Sequence, residues 1–379
     1  MKRKNLAKKL TALMMTGAMV MSMGMTAFAV EDGENIADTT EATAEITKII
    51  NKPENVLTPN TSFQFSINYV GETTGVPETD IDTYRVSRAV AFEYDNDTIT
   101  PTEDEKKDVT DSLIYSEKLP LEVLIENFTI PGVYRYEVKE IKPEDEYEGV
   151  FYDETPLYFD VAVGYYQNSH VLTVLYSMFV TENEEGETVK GNGTITNEYG
   201  VGQKEGELGN LILKKTISGN QVQAGKEYEF TVNITSGETG EEYYIVYSDG
   251  ETQYTEDGSA QIKLKADETA TIYGLSTSDK YTIIEHDYEN EGYTTSFEIK
   301  DTKGEVEKSA TGEHVYSTTE TTLRKDDDGK LMDANVTFNN AKEAITPTGI
   351  AMTFAPYIAM VAFAGVFAVM FLRKKREDF

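Results

Sequence analysis

Apolar and polar residues alternate with a period of two along most of this chain. Phe63, Phe65 and Ile67 alternate with Gln64 and Ser66; Leu157, Phe159, Val161 and Val163 share one parity, and Tyr228, Phe230, Val232 and Ile234 share another. Successive side chains of a strand point to opposite faces, so the pattern specifies strands with one dry and one wet face. Turn-forming pairs separate the runs (Pro131-Gly132, Asp249-Gly250, Asp257-Gly258, Asp328-Gly329), and no sustained 3.6-residue apolar stripe occurs outside the two ends. The expected fold is all-β, two tandem Ig-like β-sandwich domains followed by a C-terminal transmembrane helix.

The ends are of another kind. Lys2, Arg3, Lys4, Lys8 and Lys9 precede an uncharged run from Leu10 to Met25 that closes on Ala27-Phe28-Ala29. This is the pattern of a secretory signal peptide over residues 1–29, cleaved after Ala29. Residues 350–372 carry no charge and, as a helix, extend about 35 Å, enough to cross a hydrocarbon core of about 30 Å. The basic tail 373–379 follows directly, which places it in the cytoplasm and the bulk of the chain outside.

Composition narrows the chemistry. The 379 residues include no cysteine and three histidines, so disulfides, thiol nucleophiles and thiolate metal sites are excluded, and any staple must be of another type. A formal net charge of -33 repels polyanions, and no nucleic-acid partner is expected. His170, His286 and His314 show no ligand spacing, and neither Asp95-Asn96-Asp97 nor Asp326-Asp327-Asp328-Gly329 matches a calcium loop; no metal and no cofactor are expected, and the second run reads as a hairpin turn. An enzyme acting on an external substrate is the weakest functional class, because neither a nucleophile elbow nor a phosphate loop is present.

Between the ends lie an acidic leader (30–43), a first block (44–199), a Gly-rich linker (200–209) and a second block (210–342). Both blocks repeat one polar constellation in the same order. The first strand carries Lys48 or Lys215, a middle strand carries Glu140 or Glu285, and the last carries Asn197 or Asn340. By strand parity Lys215 shares a face with Leu211, Leu213 and Ile217, Glu140 with Tyr134, Tyr136 and Val138, and Asn340 with Val336 and Phe338. All six point toward the core, although Ile49 blurs the face that holds Lys48.

Burying such a trio has a chemical consequence. Desolvation disfavours both charges, leaving a neutral amine beside a neutral acid. The amine becomes a nucleophile toward the asparagine carbonyl carbon, with the acid donating a hydrogen bond to the amide oxygen and then relaying protons until ammonia leaves. The product is a Lys-Asn isopeptide cross-link, and holding the pair inside a fold supplies an effective concentration on the order of 10⁵ M or more.

The runs Leu211-x-Leu-x-Lys215-x-Ile-Ser-Gly-Asn220, Gly132-Val-Tyr-Arg-Tyr136 with Glu140, Tyr152-Asp153 and Gly292-Tyr293-Thr294-Thr295 resemble the streptococcal T-antigen-type major pilins and their isopeptide linkage domains. That resemblance implies an intramolecular bond in each of two Ig-like domains, carried over to Lys48, Glu140, Asn197 and to Lys215, Glu285, Asn340. Ile345-Thr346-Pro347-Thr348-Gly349, standing before the apolar segment and its basic tail, resembles a sortase sorting signal, with the Pro-Thr-Gly ending of these pilins. It implies cleavage after Thr348, transfer to a lysine of the next copy, and anchoring at the cell wall. The implied acceptor is Lys190, in the polar stretch before Asn197, with Lys52 and Lys142 next in line. The partners implied are a sortase, other copies of the chain, minor pilins and host surface ligands. A monomeric wall-anchored adhesin built from the same modules is the alternative function.

Overall fold

The computed structural model describes residues 41–74, 92–93, 98–125, 128–129, 131–165, 172–182, 188–200, 208–312, 314–343 and 360–361. Strands run through it in two successive groups. The first comprises β1 (Glu41–Asn51), β2 (Phe63–Thr74), β3 (Phe92–Glu93), β4 (Thr98–Ile99), a short helix α1 (Glu103–Lys106), β5 (Ser112–Ile114), β6 (Leu119–Leu124), β7 (Gly132–Ile141), β8 (Val150–Phe151), β9 (Leu157–Tyr165), β10 (Leu172–Glu182), β11 (Thr188–Lys190) and β12 (Thr194–Tyr199). The second comprises β13 (Gly209–Ser218), β14 (Tyr228–Thr235), β15 (Tyr244–Tyr247), β16 (Thr252–Tyr254), β17 (Ser259–Leu264), β18 (Thr269–Leu275), β19 (Lys280–Glu285), β20 (Thr294–Asp301), β21 (Val306–Gly312) and β22 (Ala334–Ala341). The described chain is all-β.

In the first group β3-β6-β1-β12-β8 form one sheet, with β5 also on β1, and β11-β10-β9-β7-β2-β4 form the other. The second group has a large sheet, β16-β15-β18-β13-β22-β20-β21, and a small one, β17-β14-β19. The alternation seen in the sequence becomes burial: Ile46, Ile50 and Ile195 of one sheet close over Phe65, Tyr136 and Phe159 of the other. Likewise Leu213 and Val336 face Phe230, Val232 and Ile283.

First and last strands of each group lie side by side and parallel, β1 with β12 and β13 with β22. At the far end of the second pair, Ser218 accepts from the amide of Lys342 at 2.9 Å. Gly219 follows with φ +100, where a Cβ would lie 2.3 Å from the Lys342 carbonyl oxygen, so the chain leaves β13 there only through glycine.

Several details depart from the sequence expectation. β1 begins at Glu41, inside the expected leader, because residues 41–46 pair with β6 from Leu124 to Leu119. The acidic stretch after Pro101 is ordered by a capping box, Thr102 and Glu105 exchanging side-chain bonds with each other's amides at the start of α1. Asp326-Asp327-Asp328-Gly329, by contrast, forms the expected turn, closed by a Lys325–Leu331 bridge. The signal peptide, the sorting motif 345–349 and the segment 350–372 lie outside the described residues, apart from the helical Met360 and Val361. Among the described residues no helix is long and apolar enough to cross a membrane.

Candidate functional site

Parallel pairing puts lysine and asparagine in one register twice. Lys48 stands opposite Ile195, and Asn197 opposite Ile50; Lys215 stands opposite Phe338, and Asn340 opposite Ile217. In both pairs the asparagine is two residues past the lysine's partner, hence on the same face. The glutamates come from the opposing sheet, Glu140 across from Phe65 and Glu285 across from Phe230. Lys48, Asn197, Lys215 and Asn340 are 0% exposed, Glu285 1% and Glu140 5%, where polar side chains of these types are ordinarily wet. Ile49 is half-buried on the opposite face of β1, so Lys48 belongs with Ile46 and Ile50.

In the first group Lys48 Nζ donates to Glu140 Oε2 at 2.6 Å, and Asn197 Nδ2 donates to Glu140 Oε1 at 2.7 Å. The amide oxygen of Asn197 accepts from the backbone N–H of Asp153 at 2.9 Å. In the second group one oxygen serves both partners: Glu285 Oε1 lies 2.9 Å from Lys215 Nζ and accepts from Asn340 Nδ2 at 3.0 Å. Glu285 Oε2 and the Asn340 amide oxygen are buried without a partner. In both sites the carboxylate therefore meets the amide nitrogen, the leaving group of the expected reaction, rather than the amide oxygen.

Aromatic rings wall the sites off. Lys48 Nζ lies 4.7 Å from the Phe63 ring centre and Lys215 Nζ 4.3 Å from that of Tyr228. Burial pushes the Lys48 amine down to about 8 against the pull of Glu140, and Lys215 to about 8 against Glu285. The same burial raises the carboxyls of Glu140 and Glu285 against the neighbouring ammonium groups. Both shifts favour moving a proton from lysine to glutamate, which frees the amine lone pair.

Lys190 is exposed at the end of β11, an edge strand paired to β10 opposite Val180, and not in a loop. Lys142 is also exposed, beside Glu146 at 2.9 Å. Lys52 is not available: it is 2% exposed, its Nζ donating to the carbonyls of Val56, Asp108 and Thr110 at 2.8, 2.9 and 2.7 Å. Its parity with Ile46, Lys48 and Ile50 was the sequence signal for that burial. Sequence reasoning also missed a partly buried polar junction between the groups. Glu148 Oε1 accepts from the amide and hydroxyl of Thr277 at 3.1 and 2.6 Å. Its Oε2 accepts from the hydroxyls of Ser276 and Ser278.

A curated protein from Streptococcus pyogenes serotype M1, described as a pilin, is 28% identical over 394 residues, covering 97% of this chain and 99% of its own. The chain is a relative of a streptococcal pilin. A family described as a domain of unknown function (DUF7601) matches residues 209–342. Among solved structures, the major pilin from Streptococcus pyogenes aligns over 80% of this chain and 99% of its own at 24% identity, with TM-score 0.49. A pilus-presented adhesin aligns over 50% of this chain and 37% of its own at 21% identity, with TM-score 0.27.

Proposed function

We propose that this chain is a structural pilin of the bacterial cell surface, made of two Ig-like β-sandwich domains that each close a Lys-Asn isopeptide bond. The observation that carries this reading is the doubled site: two separate cores bury a lysine, a glutamate and an asparagine in the same register. Nothing about packing alone requires it, since an unreacted buried ion pair contributes little net stability. In the reaction the neutral Nζ attacks the amide carbon and the C–Nζ bond forms. The proton leaving Nζ passes to glutamate, a proton from glutamate reaches Nδ2, and the C–Nδ2 bond breaks to release ammonia. Contact of the carboxylate with both nitrogens suits it to that relay. The pilin relative supports the assembly half of the reading, in which a sortase cuts after Thr348 and joins it to Lys190 of another copy, and in which the segment after Gly349 serves as a transient membrane anchor.

Intact-mass spectrometry of the chain produced without a sortase tests the chemistry. Two ammonia molecules should be missing, one for each site, and Glu140→Ala or Glu285→Ala should each restore one. A full sequence mass would end the cross-link reading. Extracted cell walls should give a covalent ladder; one band would favour the monomeric adhesin.

A further inference from the structure

Besides the sharing of the carboxylate, the two sites differ at the asparagine amide oxygen, and that difference traces to strand length. Beyond the asparagine strand, β12 is flanked by β8, which pairs only through Phe151–Glu198 and Val150–Tyr199. The ladder stops there, so the next amides are free of it. An Asx turn follows, Asp153 Oδ1 accepting from the amide of Thr155 at 2.9 Å, and the Asp153 N–H turns inward to the Asn197 amide oxygen at 2.9 Å. In the second group the same flank is held by β20, eight residues long, which pairs with β22 through Thr295–Asn340 and Ser296–Asn339 and with β21 on its other edge. Its amides are committed to those ladders, and the Asn340 oxygen has no donor.

We infer that the backbone N–H of Asp153 is an oxyanion donor for cross-linking at Asn197, a role resting on the isopeptide reading, and that the site at Asn340 works without one. When Lys48 Nζ adds to the amide carbon, the carbonyl electron pair moves onto Oδ1, and the developing charge falls on the atom already facing a fixed donor. The donor also orients the substrate: with the oxygen on Asp153 and the nitrogen on Glu140, the amide is held with its leaving group toward the proton relay.

The test uses the full chain made in a cell-free system, quenched at intervals and digested, with the Lys48–Asn197 and Lys215–Asn340 peptide pairs quantified by mass spectrometry. An α-hydroxy acid placed at 153 retains the aspartate side chain and replaces the N–H donor with an ester oxygen. It should slow the first cross-link about 10²-fold while the second, in the same molecule, keeps its rate. Asp153→Ala retains the N–H and loses the Asx turn, and should change the first rate by no more than a few-fold. An unchanged first rate with the ester would overturn the inference and leave the cross-link reading standing. Equal slowing by ester and alanine would assign Asp153 to holding the turn, which also overturns it. If the unsubstituted chain forms neither bond, the cross-link reading itself falls and this inference with it.

Discussion

At the scale of single residues, the proton count at each site makes an unusual pH profile. The ion pair (ammonium with carboxylate) and the reactive pair (amine with carboxylic acid) hold the same number of protons, so converting one to the other exchanges nothing with solvent. Bond formation should therefore be level with pH only while each pair holds one proton. It should decline above about 8, where the burial-lowered amines of Lys48 and Lys215 lose the shared proton. It should decline also on the acid side, where the raised carboxyls of Glu140 and Glu285 take a second proton and leave only ammonium. Rates of ammonia loss across the range check this; a tenfold rise per pH unit continuing through about 8 would show that the lysine loses its proton to water and that glutamate is not the donor. Lys52 supplies a contrast. Its ammonium is satisfied by three backbone carbonyls and lies 3.2 Å from Asp108, with no side-chain carboxamide among those partners, so it holds a loop and lacks the asparagine that stands beside Lys48. Lys52→Met should destabilise the first group by about 3 kcal/mol in chemical denaturation, the usual cost of stranding the partners of a buried charge.

At the scale of elements, the pairing of β13 with β22 sets the response to tension. Pulling on the start of one and the end of the other loads parallel strands in shear, and a bond between Lys215 and Asn340 would carry the load past about 125 residues of intervening chain. Single-molecule stretching of the native chain should show no extension from this region. Glu285→Ala should add about 440 Å of contour at ~3.5 Å per residue. By the loop-entropy relation each bond also stabilises by about 5 kcal/mol, so the same variant should melt roughly 15–20 °C lower.

Which parts of these elements could be read beforehand follows from how each is encoded. Strand parity is local, so the inward aim of Lys215, Glu285 and Asn340 was visible from their neighbours. The same rule would have turned Lys52 inward had it been carried two residues past Ile50. Register between distant strands is not local, and the two-residue offset between lysine and asparagine emerges only from the paired structure. The Asp153 donor was hidden for a deeper reason: it is a backbone N–H, common to every residue but proline, and what frees it is the shortness of β8. Glu41-Ala42-Thr43 looked like leader because pairing to β6, rather than an apolar pattern, makes it a strand.

At the scale of the whole molecule, the junction between the groups is itself ionisable. Tyr147 and Tyr199 from the first group donate to Glu241 Oε1 at 3.2 and 3.3 Å, and Tyr243 donates to Oε2 at 3.2 Å. Burial, with Asp279 nearby, pushes the Glu241 carboxyl from 4.5 up to about 7. The folded chain thus keeps a proton that the unfolded chain has given up. Between those two values it binds more protons than the unfolded state, so stability from this group falls as pH rises from about 4.5 to about 7, by about 3 kcal/mol in all, and is level above. Urea denaturation at about pH 5 and about pH 8 should show the loss in the native chain and a smaller one in Glu241→Gln. Equal losses would place the dependence elsewhere. Glu148 behaves oppositely: against the cost of burial, donors from Ser278, Thr277 and Ser276 hold its carboxyl below the ordinary range.

Parallel contact between the first and last strands of a group also has a meaning in time. A chain is made from its N-terminus, so Lys48 and Glu140 exist well before Asn197, and β1 has no parallel neighbour until nearly the whole group has been delivered. A product cut short inside the group would carry the lysine and the acid and could never close the bond. The missing ammonia would then act as a receipt for a completed group, issued separately for each half of the molecule and legible by mass long after synthesis has ended.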